Sequence, residues 1–180
     1  MKIGITGHSE FLGKGLFDLL KKNHDVLGFS RSNGYDLKNY KNILSEVIDM
    51  DIFINNTYHP TYQQIIFEEL FDLWKYQDKT IFNVLTSAIF NNGSFDDYRE
   101  NKLKLQKSSL SLINSNLDKK VRIVNLYPNT LEHNKRVGFN KVEFSEIYNV
   151  IEFQLSLPQS LEMTHISISR TTVLKDKILI

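Results

Sequence analysis

Residues 1–15 read Met1-Lys2-Ile3-Gly4-Ile5-Thr6-Gly7-His8-Ser9-Glu10-Phe11-Leu12-Gly13-Lys14-Gly15. The hydropathic period changes within this stretch. Ile3 and Ile5 alternate like one face of a strand and stop at Thr6-Gly7, and beyond Gly13 the residues Leu16, Phe17, Leu19 and Leu20 follow helical spacing. A strand, a glycine-bearing turn and a helix leave backbone N–H groups unpaired at the positive end of a helix dipole, where a phosphate can sit. In a βαβ setting this pattern points to dinucleotide binding, with Gly7, His8, Ser9, Phe11, Leu12 and Gly13 as the candidate cofactor-binding residues. The same pattern alone also describes a plain tight connection, so the residues further along decide.

Working outward, alternating elements follow. The predicted strands are Ile3–Thr6, Asp25–Ser30, Asp51–Asn55, Thr80–Thr86, Val121–Leu126 and Met163–Ser169. The predicted helices are Leu12–Lys22, Tyr40–Met50, Thr61–Lys75, Tyr98–Asn116 and Ser145–Leu155. In Thr61–Lys75 the expected core stripe is Ile65, Ile66, Leu70, Leu73 and Trp74. In Tyr98–Asn116 it is Leu105, Ser109, Leu112 and Ile113, with the charges Arg99–Lys107 as a solvated face. Alternation of this kind predicts an α/β fold of the Rossmann type: a doubly wound parallel sheet with helices on both faces, in a single domain spanning residues 1–180.

Composition narrows the function. A net charge of +1 over 180 residues gives no support for a nucleic-acid or anionic-membrane partner, and with no cysteine there is no disulfide or thiolate chemistry. His8, His24, His59, His133 and His165 show no ligand spacing, so no metal site is expected. The early apolar run is short and glycine-broken, unlike a signal peptide, and no stretch has the length to cross a bilayer. A cytoplasmic protein is expected.

In open parallel sheets ligands bind beyond the carboxyl ends of the strands. Polar residues gather at just those places: Thr6-Gly7, Ser30-Arg31-Ser32, Asn55-Asn56, Thr86-Ser87 and Pro128-Asn129-Thr130. Tyr98 and Lys102, four apart, share one helix face, and Ser87 lies eleven residues before Tyr98. A phenol is a weak acid with a pKa of about 10, and a neighbouring ammonium lowers that value. Tyr98 can then exchange a proton with a substrate oxygen near neutral pH while Ser87 hydrogen-bonds the same oxygen. Thr86 is the weaker candidate for that second role.

With Thr6-Gly7, Gly13, Asn55-Asn56, Ser87, Tyr98-x-x-x-Lys102 and Pro128-Asn129-Thr130 in this order, the chain resembles a shortened short-chain dehydrogenase/reductase over nearly its whole length. The resemblance implies catalytic roles for Ser87, Tyr98 and Lys102. Lys102 would lower the Tyr98 pKa and hold the nicotinamide ribose. Asn55 would stabilise the sheet and line the cofactor cleft beside Asn56, and Thr130, after Pro128, would touch the carboxamide or the diphosphate. Asp36-Leu37 resembles the pair near the adenine. Ser30, Arg31 and Ser32 replace the acidic residue that would accept from a ribose 2′-OH and suit a 2′-phosphate instead, which favours NADP over NAD.

Departures stand beside the likeness. Phe11 replaces the middle glycine of the turn, Asn129 replaces the glycine after Pro128, and no asparagine in Thr61–Lys75 matches the family's proton-relay residue. The expected activity is hydride transfer between NADP(H) and a small carbonyl or alcohol, with no nucleic-acid or membrane partner and, by resemblance, a homodimer or homotetramer. The alternative is a catalytically weak or inactive NAD(P)-binding module, or a regulatory or structural subunit.

Overall fold

The computed structural model describes residues 1–90, 96–135 and 140–170. Six strands form one parallel sheet: β1 (Lys2–Thr6), β2 (Asp25–Phe29), β3 (Ile52–Asn55), β4 (Thr80–Val84), β5 (Arg122–Pro128) and β6 (His165–Ile168). Their order across the sheet is β2-β1-β3-β4-β5-β6. Among the described residues the five α-helices are α1 (Phe11–Leu20), α2 (Tyr40–Val47), α3 (Tyr62–Trp74), α4 (Asp97–Ser115) and α5 (Phe144–Ser156). The doubly wound Rossmann-type sheet expected from the alternation is present.

Strand periodicity explains the two-sided core. Phe53, Ile81 and Ile123 stand in register across β3, β4 and β5 and pack with α2, α3 and α4. Their neighbours Ile52, Ile54, Phe82 and Val124 point the other way, into the layer formed by α1 and α5. Chain order reverses between β1 and β3, so the crevice above that pair is the topological switch point where ligands bind in such sheets.

Most differences from the expected elements lie at their ends. Strand β5 continues through Pro128 because β6 pairs with it as far as Ile168. Short 3-10 turns at Arg31–Asn33 and Leu37–Asn39 bridge β2 to α2, where sequence periodicity gives no signal. The buried stripe of α3 is Gln63, Ile66, Phe67, Leu70, Phe71 and Trp74, whereas Leu73 is exposed. Arg99 is buried, contrary to its expected place on a solvated face.

Among the described residues no helix is long and apolar enough to cross a membrane, and no group of histidine and carboxylate side chains could hold a metal ion.

Candidate active site

The turn after β1 is held by polar contacts with the end of β3. Thr6 Oγ1 accepts from the backbone N–H groups of Asn56 and Thr57, each at 3.0 Å, and Asn56 Nδ2 donates to the Thr6 carbonyl at 3.0 Å. Gly7 adopts φ +76°, a conformation that side chains disfavour. A Cβ on Gly13 would overlap the Gly7 carbonyl oxygen, so α1 packs against the turn as closely as a backbone allows. No side chain caps α1, and its first turn carries no acidic residue. Its leading N–H groups therefore face the crevice without a side-chain acceptor.

Phe11 keeps the backbone shape of the glycine it replaces. Its φ is +46°, and among the described residues no other non-glycine residue has positive φ. For an L-residue this conformation costs about 1–2 kcal/mol. The ring is 60 % exposed and stacks on His133 from the loop after β5, with ring centroids 4.6 Å apart. Both residues border the cleft, so the substitution leaves the chain path intact and places an aromatic pair at its mouth.

That cleft has a volume of about 870 Å³. Gly7, Ser9, Phe11, Leu12 and Gly13 line it from the first turn, and Ser30, Arg31, Ser32, Asp36 and Leu37 line it from the segment after β2. Ser30 Oγ and Ser32 Oγ lie 2.7 Å apart, Asn33 Nδ2 donates to the Gly28 carbonyl at 2.8 Å, and the Arg31 side chain is left in solvent. The Asp36 carboxylate accepts from the Lys38 amide at 2.9 Å and starts the second 3-10 turn.

Two expected cofactor residues lie elsewhere. The His8 ring lies over Gly28 and against the Phe17 ring, tilted at 48° with centroids 5.0 Å apart, after the left-handed Gly7. Asn55 is fully buried inside the sheet layer: its Nδ2 donates to the Gln63 carbonyl and to Asn83 Oδ1, so it serves the sheet and does not line the cleft.

Asn56, Tyr58, Tyr98 and His133 border both this cleft and an adjoining one of about 580 Å³, which also contains Thr86, Ser87, Lys102, Pro128, Asn129 and Thr130. The catalytic candidates Ser87, Tyr98 and Lys102 are brought together here, with Thr86 beside them. Ser87 Oγ donates to Asn129 Oδ1 at 3.3 Å, and Thr86 Oγ1 accepts from the Ala88 backbone N–H at 3.3 Å.

Lys102 is buried; its Nζ donates to the Val84 carbonyl at 2.6 Å and to Gln63 Oε1 at 2.9 Å. Loss of hydration pushes its ammonium down to about 7. Nζ also sits 5.7 Å from the ring centroids of both Tyr58 and Tyr98. The Tyr98 pKa is raised, chiefly by burial, and the neighbouring Thr86 hydroxyl opposes that rise. The expected lowering by Lys102 is therefore absent in this arrangement: the ammonium is engaged by Gln63 and Val84 rather than by the phenolic oxygen.

Sequence reading missed Gln63. It is a polar residue on the buried face of an otherwise apolar helix, and that break in the stripe was the available signal.

No protein-family model matches the sequence, and no curated protein matches it in sequence. Solved structures match in fold. The serine dehydrogenase of Escherichia coli is 13 % identical with a TM-score of 0.73, covering 94 % of this chain and 98 % of its own. A short-chain dehydrogenase from Burkholderia cenocepacia in complex with NADP is 16 % identical with a TM-score of 0.76, covering 94 % and 88 %. A short-chain dehydrogenase/reductase from Vibrio parahaemolyticus is 15 % identical with a TM-score of 0.72, covering 94 % and 99 %. The chain has the fold of the short-chain dehydrogenase/reductase structures.

Proposed function

We propose that this protein binds NADP(H) across the switch-point cleft and interconverts a small carbonyl compound and its alcohol, with Tyr98 as acid/base. The observation that carries the reading is the continuity of the two clefts. A glycine cradle and a Ser30-Arg31-Ser32 segment occupy one end, and a phenol, a buried lysine and two hydroxyls occupy the other.

Gly7, Gly13 and the first turn of α1 would hold the diphosphate, as the close packing and uncapped helix start allow. Arg31, with the hydroxyls of Ser30 and Ser32, would take the 2′-phosphate. The cofactor supplies the hydride chemistry when bound. Tyr98 holds or passes the proton at its phenolic oxygen, and Thr86 and Ser87 orient the substrate oxygen. Lys102, held by Gln63 and the Val84 carbonyl, closes the floor of the site with its Nζ 5.7 Å from the Tyr98 ring centroid.

A second reading, an NADP-binding module without turnover, draws on two observations: the raised Tyr98 pKa and the aromatic pair at the mouth of the cleft.

The test is a fluorescence titration with NADPH and NADH, then a panel of carbonyl substrates with wild type and Tyr98→Phe. Binding with Tyr98-dependent turnover supports the enzyme. Binding without it supports the module. No binding of either nucleotide contradicts both.

A further inference from the structure

One rung of the sheet is polar in the middle of an apolar face. Asn55, Asn83 and Asn125 stand in register on β3, β4 and β5, one step above the Phe53–Ile81–Ile123 rung, and all three are fully buried. Their amides point head to tail. Asn55 Nδ2 donates to Asn83 Oδ1 at 3.1 Å, Asn83 Nδ2 to Asn125 Oδ1 at 3.3 Å, and Asn125 Nδ2 to Ser109 Oγ at 2.9 Å.

Both ends of this ladder return to α4. At one end it terminates on Ser109. At the other, Asn55 is tied twice to Gln63, through Asn55 Nδ2 to the Gln63 carbonyl at 2.9 Å and Gln63 Nε2 to the Asn55 carbonyl at 3.0 Å, and Gln63 Oε1 accepts from Lys102. The second acceptor of Lys102, the Val84 carbonyl, belongs to the residue next to Asn83.

Helix α4 needs such a device because its apolar stripe is sparse. Its buried residues are Arg99, Lys102, Leu105 and Ser109, whereas α3 buries Ile66, Phe67, Leu70, Phe71 and Trp74. Apolar contact is non-directional, and one fully buried leucine with the partly buried Leu112 and Ile113 does little by itself to fix the height of the helix. Hydrogen bonds between buried groups do fix it, since a slip of one turn would strand amide and ammonium donors away from water.

We propose that Asn83 and Asn125 are positioning residues, which with Asn55 and Ser109 set the register of α4 on the sheet and so hold Lys102 and Tyr98 at the cleft. The importance given to that pair rests on the function proposed above; the register lock itself is read from the fold.

The experiment is an NMR titration of isotopically labelled lysine side chains in the full chain, in wild type, Asn83→Leu, Asn125→Leu and the milder Ser109→Ala. Val124→Ala, on the opposite face of β5, is the control for destabilisation alone. The ladder variants are expected to move the Lys102 midpoint by about half a pH unit or more, and Val124→Ala to leave it in place while lowering Tm. If the asparagine variants do not fold, Ser109→Ala decides the outcome. Unmoved Lys102 midpoints in every folded ladder variant overturn the proposal and leave the ladder an ordinary core contact. NADPH binding, measured on the same samples, is expected to stay within about twofold of wild type, because the glycine turn lies on other elements. A ladder variant that loses NADPH binding together with the Lys102 shift would overturn local positioning. Should wild type itself fail to bind NADPH, the proposed function falls while the Lys102 titration still tests the register.

Discussion

At the β1–α1 end of the cleft, groups are left open: unpaired helix N–H groups, an exposed Arg31, and a Phe11 ring held in a left-handed backbone. Beneath α4 the opposite holds, with Lys102, Gln63 and three asparagines buried and joined by hydrogen bonds. An open end keeps its donors for a ligand, and a closed end uses its donors to fix side chains in place. Substitutions at the open end should therefore change what binds, and substitutions at the closed end should change chemistry and stability.

The largest effect expected is on turnover. Tyr98→Phe should lower carbonyl reduction by about 10²–10⁴-fold while leaving NADPH affinity within about twofold, as judged by steady-state rates beside a binding titration. Loss of binding in place of turnover would erase the division between the two ends.

Lys102→Met comes next and is read through stability. The Lys102 pKa of about 7 in the fold lies below its ordinary value of 10.5, so between those values the unfolded chain binds the extra proton. Wild-type stability should then rise with pH across that window, and below it the buried ammonium is a penalty. Replacing it with Met should stabilise the protein at pH 6 by on the order of 2 kcal/mol, offset in part by the acceptors left unpaired, and the gain should fade toward pH 10. Parallel denaturation curves for the two proteins at pH 6, 8 and 10 would contradict the burial of a titrating lysine.

Two smaller effects belong to the open end. Arg31→Ala should reduce the preference for NADPH over NADH by about tenfold, the loss of one charge-assisted contact to phosphate. Phe11→Gly should tighten NADPH binding by roughly threefold, since the backbone already has the glycine conformation and only the ring at the mouth is removed. Unchanged affinity in Phe11→Gly would show that the Phe11–His133 pair leaves the ligand path clear.

The same contrast explains what could be read from sequence. The open end is local: Thr6-Gly7, Phe11 and Gly13 lie within eight residues, and Ser30-Arg31-Ser32 follow one another directly, so spacing alone placed them. The closed end is assembled from α3, α4 and three strands. Asn83 and Asn125 each look like a lone polar residue in an apolar strand until strand register aligns them. Gln63 was hidden in the same way. His8 was expected at the cleft from its place in the turn and Asn55 from the family resemblance, whereas the His8 ring lies against Gly28 and Phe17 and Asn55 is bonded within the sheet layer, where it serves the sheet alone.

The central claim is that the switch-point cleft takes an NADP dinucleotide on the Gly7–Gly13 turn. Isothermal titration of NADPH into wild type and Gly13→Val tests it most directly, because a Cβ at Gly13 would overlap the Gly7 carbonyl oxygen. The account predicts saturable binding to wild type, tighter for NADPH than for NADH, and its loss in a folded Gly13→Val. Absence of binding to wild type, or equal binding to both proteins, would contradict it.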